Sequence, residues 1–295
     1  MYLKELLLTA AILFPMQAAP ATSAKIPAQF FQDPNAKSVL ARLDRNAGEF
    51  KDGLHKALDS SVLNGTSLED RLNDWANLLA GEVDGANDEY SSIAASGKHP
   101  DSNAVDRFAR HWRNAMMSAT AINRAMIRRG FAPTPESQWT GIRTALNRLA
   151  AALGRPPLPD MTTVIFRPPP PATLARRSVK EVMKDLTARS DRVEDDIERE
   201  WLPAMPSRQR HIVERWMDDL QSATNELMHE YKDRDAAEFR FKLEETLMLA
   251  AGLNRALLTN PASPVPIAEW EQLRERLNTL AMRFGYPVLP QMLHA

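Results

Sequence analysis

The sequence predicts an all-α protein: two tandem four-helix bundle repeats joined by a proline-rich linker. Three observations predict it. Leucine (34) far outnumbers valine (11) plus isoleucine (10), and glycine is only 11, a balance that favours helix over sheet. Apolar residues recur at alternating three- and four-residue steps, which places them on one face of a helix. Finally, the chain resembles itself. Residues 121–159 align without gaps to 252–290, 131 positions later, with 15 of 39 identical. Asn123-Arg124-Ala125 matches Asn254-Arg255-Ala256, Trp139 matches Trp270, and Leu146-Asn147 matches Leu277-Asn278. Gly154, Pro156, Leu158 and Pro159 match Gly285, Pro287, Leu289 and Pro290.

The first 24 residues read as a secretory signal. Lys4 precedes an apolar run from Leu6 to Phe14, and small residues follow at Ala19-Pro20-Ala21 and Thr22-Ser23-Ala24. The run is shorter than the ~20 apolar residues a membrane-spanning helix needs. The absence of cysteine leaves no site for a lipoprotein anchor. The expected product is a soluble periplasmic or secreted chain without a transmembrane segment.

The first repeat, 36–154, holds four stripes. Leu40, Leu43, Ala47, Phe50, Leu54 and Leu58 line the first helix. Leu68, Leu72, Trp75, Leu79, Val83, Ala86 and Tyr90 line the second, with Thr66-Ser-Leu-Glu69 at capping-box spacing before it. A longer surface loop is expected within Ser91–Asn103, ten residues that the second repeat lacks. Phe108, Trp112, Ala115, Ala119, Ile122 and Met126 line the third helix. Trp139, Ile142, Leu146, Leu149 and Leu153 line the fourth, which Thr134-Pro135 opens and Gly154 and proline close. Residues 155–175, with Pro156, Pro157, Pro159 and Pro168–Pro171, form the linker, expected to be extended and stiff. Such a spacer would leave the bundles to melt separately. The second repeat, 176–290, opens with Ser178-Val-Lys-Glu181 at capping-box spacing. It continues with Met183, Leu186, Ser190, Val193, Ile197 and Trp201, in register with the first stripe at an offset of 143. Trp75 and Tyr90 match Trp216 and Tyr231 at an offset of 141.

Composition excludes several chemistries. With no cysteine there are no disulfides, thiolate metal sites, iron–sulfur clusters, CxxCH haem attachments or cysteine nucleophiles. A net charge of −1 in 295 residues gives no bulk attraction to nucleic acid. Glycine-rich phosphate loops, nucleophile elbows and HExxH are absent. Glu226-Leu-Met-His229 has ExxH spacing, but a di-iron bundle needs two such motifs and two more glutamates, and the positions matching Glu226 and His229 are Gly85 and Asp88. His55, His111, His211 and His229 are flanked by polar residues and lie off the apolar stripes, which disfavours them as haem ligands. Trp75, Trp216, Trp139 and Trp270 read as core.

Charge is polarised locally. Residues 60–102 carry two basic and eight acidic side chains, and 103–155 carry nine basic and two acidic. Arg107, Arg110, Arg113, Arg124, Arg128 and Arg129 are read as pairing with the acidic second helix rather than meeting an anionic partner. Asn123 and Asn254 are read as buried amides bonding a neighbouring helix, with a shared ligand site as the alternative. No catalytic, cofactor-binding or metal residue is assigned.

The run Phe50…Leu54…Ala57-Leu58-Asp59…Leu63-Asn64-Gly65-Thr66…Glu69-Asp70, followed by Ile122-Asn123-Arg124 and Trp139…Leu146, resembles a group of uncharacterised exported bacterial helical-bundle proteins. Their members carry a similar LDGT…ED turn. Most of the first repeat shares the resemblance; the second has Pro203 and Pro206 at the turn. It implies an exported helical protein and carries over no activity. The function expected from these readings is a non-enzymatic interaction or scaffold module, with a protein or cell-envelope partner. The alternatives are a haem- or metal-binding bundle and a periplasmic holdase-like chaperone.

Overall fold

The computed structural model describes residues 26–96, 101–129, 133–159, 176–205, 207–233, 236–259 and 267–291. They are helical, with no strand among them: α1 (Pro34–Asp59), α2 (Ser67–Ala95), α3 (Ser102–Arg129), α4 (Pro133–Ala152), α5 (Arg176–Asp196), α6 (Ser207–Asp233), α7 (Ala236–Thr259) and α8 (Ile267–Phe284). The expected signal segment and linker residues 160–175 lie outside the described residues.

The predicted stripes are the buried faces. Leu43, Phe50, Leu54, Leu58, Leu72 and Leu79 are all sealed from solvent. Helix α1 packs on α2 and α4, and α2 on α3; α5 packs on α6 and α8, and α6 on α7. Ser190, the polar member of the α5 stripe, bonds the Thr224 hydroxyl at 2.9 Å, which satisfies both in the core. The α5 stripe then runs into a π-turn, Ile197–Trp201, which keeps Ile197 and Trp201 inward before Pro203 stops the helix.

Helix ends follow the local chemistry. The Glu69 N–H donates to Thr66 Oγ1 at 3.3 Å, and the Gly65 N–H donates to Glu69 Oε2 at 2.5 Å. The reciprocal box is therefore shifted back by one residue. Gly154 (φ +63°) and Gly285 (φ +74°) end α4 and α8 in the left-handed region, where a side chain would be strained. After each, the next residue bonds five back: Arg155 N–H to Ala150 O at 2.8 Å and Tyr286 N–H to Ala281 O at 2.7 Å.

The structure differs from the sequence reading in four places. Ser91–Ala95 continue α2 instead of looping, because Ile93 extends the apolar face into the core. Helix α4 begins at Pro133 and α5 at Arg176, so neither Thr134 nor Ser178 stands before its helix as a cap. Residues 28–32, unassigned from sequence, form a 3-10 turn whose Phe30 and Phe31 cluster with Tyr90 and Phe108. The Tyr90 hydroxyl ties that turn down through Phe30 O at 3.0 Å and Asp33 O at 2.8 Å.

The fourth difference concerns independence. The expectation of separately melting bundles is not what the packing supports, because α3 lies against α7 and one apolar core runs through all eight helices. The physical reason is in α7: every residue from Lys242 to Leu257 is buried, and a helix buried all round needs neighbours on every side. Nor does the linker begin as a free spacer at Arg155. Leu158 is buried, and its N–H donates to Asn147 Oδ1 at 2.7 Å.

Candidate functional site

The Asn-Arg pairs meet at the α3–α7 seam. Asn123 Oδ1 accepts from the Trp139 indole N–H at 3.2 Å, while its amide donates to Pro159 O at 3.0 Å. Asn254 does the same 131 residues on, accepting from Trp270 at 2.8 Å and donating to Pro290 O at 3.4 Å. Each asparagine therefore joins its own helix to the next one and to the segment that follows it. The neighbouring arginines reach the other way. Arg124 donates to Pro287 O, and Arg255 to Pro157 O at 2.9 Å and to Pro156 O. Each arginine thus holds the segment after the opposite set's last helix, a reciprocal clamp. Between the pairs lies a crevice of about 50 Å³.

A second concavity, about 420 Å³, opens between α2 and α6. Its floor is Trp75 and Trp216, with ring centres 5.4 Å apart and planes inclined by 31°. These matched tryptophans are buried, but they pack on each other across the two helix sets. Trp216 fits because Gly252 lacks a side chain; a Cβ there would stand 2.0 Å from the ring. Arg71–Asp219 at 2.6 Å and Arg215–Asp74 at 3.3 Å bridge the groove. Leu78 and Ile212 line it, both partly exposed. Behind Arg71, the buried Glu245 accepts from Arg71 Nε at 3.3 Å and from the Ser67 hydroxyl at 3.0 Å. Lys242 joins this network through Ser67 at 2.7 Å and Glu226 at 2.6 Å.

The histidines divide. His55 and His211 are exposed and beside carboxylates, Asp59 and Glu214 respectively. Glu226 and His229 are exposed too, and Glu226 is taken by Lys242. Among the described residues, no group of three or more histidine, aspartate or glutamate side chains is arranged to hold a metal ion. His111 differs from the other three in being buried. It is 7% exposed, and its Nδ1 lies 2.6 Å from Glu82 Oε2, itself 2% exposed. Gly85 makes the room, since a Cβ there would meet the ring at 2.5 Å.

The arginines also divide. Arg107 pairs with Glu89 on α2 through two bonds of 2.6 and 3.1 Å, as the pairing reading expected. Arg113 instead donates to Gln209 of α6 at 3.1 Å. Burial, then Arg155 nearby, lowers its pKa to about 10. The same two causes lower Arg255 to about 10. The side chains of Arg128 and Arg129 lie outside the described residues. No family model, curated protein or solved structure matches the chain.

Proposed function

We propose that the chain is an exported, non-enzymatic interaction or scaffold protein, made of two tandem four-helix repeats, that binds its partner through the α2–α6 groove. The observation that carries this reading is the lining of that groove. Its tryptophans and rim arginines are residue types that concentrate binding energy at protein interfaces, and the half-open Leu78 and Ile212 add apolar lining beside them. The repeat reading draws support from the matched Asn–Trp and Asn–proline-carbonyl bonds, one set 131 residues after the other. Export rests on the apolar run from Leu6 to Phe14 and the small residues after it, and the resemblance to exported helical-bundle proteins agrees with it.

The test is a photo-crosslinking residue at Asn77, exposed at the groove, in the full chain expressed in its native host, with the same residue at exposed Arg42 as control. A discrete adduct at Asn77, absent at Arg42 and lost on Arg215→Glu, is expected. Identical adducts at both positions would sink the assignment. So would stoichiometric haem or iron in natively purified protein, which would instead favour the cofactor-binding alternative.

A further inference from the structure

The α3–α7 crevice and the α2–α6 groove share no lining residue. Among the described residues, the crevice lining has Arg124 and Arg255 and no carboxylate. Arg255 is only 6% exposed, and its Nε is buried without a hydrogen-bond partner among the described residues. Among the described residues, its other nitrogens meet only the carbonyls of Pro156 and Pro157, and no carboxylate stands within ion-pair distance. Carbonyl dipoles solvate a guanidinium but do not neutralise it. A buried charge lacking a counter-charge is costly, and an orphaned buried donor calls for an ion or water. Burial, and then the positive charge of Arg155, adjacent in sequence to those carbonyls, lower the pKa of Arg255. Both effects are relieved by an anion.

The remaining walls select among anions. Leu258, Val288, Pro159 and Pro290 are apolar, and Val288 is 41% exposed. A strongly hydrated inorganic oxyanion gains nothing from such walls, whereas a carboxylate carrying a short apolar tail is matched at both ends. A space of about 50 Å³ accommodates a head group and little more, so the tail lies along Val288.

We propose that the crevice where the two Asn-Arg pairs converge is a binding site for a small aliphatic monocarboxylate, its head toward Arg255 and Arg124 and its tail on Leu258 and Val288. Titration calorimetry of the full chain with acetate, butyrate, phosphate and chloride at constant ionic strength tests this. Butyrate is expected to bind about tenfold more tightly than phosphate, with acetate between them, a difference of about 1.4 kcal/mol. Val288→Asp puts a like charge at an exposed position, so the helical circular dichroism should persist while butyrate affinity falls at least about tenfold. Arg255→Lys, which keeps the charge but not the two-carbonyl clamp, should weaken butyrate as well. No heat with butyrate, equal response to all four anions, or wild-type affinity in Val288→Asp would each overturn the site. None of these outcomes bears on Asn77 crosslinking at the groove.

Discussion

At the scale of residues, the two seam asparagines hold the most structural consequence for their size. Removing the Asn123 amide leaves the buried Trp139 N–H and Pro159 O without their partner. An orphaned buried group costs about 1–3 kcal/mol, so Asn123→Ala and Asn254→Ala should each lower stability by that amount. Arg148→Ala, at an exposed site on α4, should change it by less than ~0.5 kcal/mol. Chemical denaturation of the three variants checks this; wild-type stability in Asn123→Ala would remove the structural role. The asparagines could be singled out in the sequence because they recur beside apolar positions. Their partners' identity was less accessible, since Pro159 O is a backbone atom that no residue-type pattern marks. His111 was hidden for a different reason. Its partner Glu82 and the space left by Gly85 both sit on α2, and the residues beside it on α3 say nothing about what another helix presents.

At the scale of elements, glycines in helices separate packing from propensity. Gly252→Ala drives a Cβ into the buried Trp216 ring, so overpacking should cost about 1–3 kcal/mol or more. Gly48 in α1 has open space around its missing Cβ, and Gly48→Ala should stabilise by about 0.5–1 kcal/mol. Thermal melts of the two variants should move in opposite directions; parallel shifts would show that Trp216 does not depend on Gly252. The α5–α6 pair carries a pH signature. Burial, then Asp218 on α6, then Glu198, Asp191 and Asp195 raise Glu194 to about 7. The folded chain therefore holds this proton more tightly than the unfolded one, and the stability of this pair falls as pH rises from about 4.5 to 7. Glu194→Gln should match wild type near pH 4 and be the more stable at pH 8. The gain should stay within about 1 kcal/mol, because water and salt screen a partly wetted cluster. A variant no more stable than wild type at pH 8 would contradict the assignment. Helix identity was legible from the stripes. The π-turn at Ile197–Trp201 was not, because a one-residue slip leaves the apolar spacing almost unchanged.

At the scale of the whole molecule, the question is whether the two sets of four helices are one cooperative unit. The proline run invited the reading of two independent bundles, yet the signal for a shared core was present in α7. From Thr246 to Leu258 the only charged residue is Arg255, too little polarity for any face to meet water. What no periodicity could supply was which helix covers it, and α3 does. Trp75 packs against Trp216, Arg71 reaches Asp219 and Glu245, and the Arg124 and Arg255 clamps cross the seam in both directions. Exposing α3 or α7 alone would put this buried surface in water. Each set is therefore expected to lose its native state when the other is lost. A single calorimetric transition is expected, with equal calorimetric and van't Hoff enthalpies. Asn123→Ala and Asn254→Ala, on opposite sides of the seam, should shift that same transition, each leaving one peak. Trp75→Ala, which empties the shared floor, should cost about 3–5 kcal/mol and lower the whole transition. Two resolved peaks, one moved only by Asn123→Ala and the other only by Asn254→Ala, would mean that the seam contributes little and that each set of four helices is stable alone.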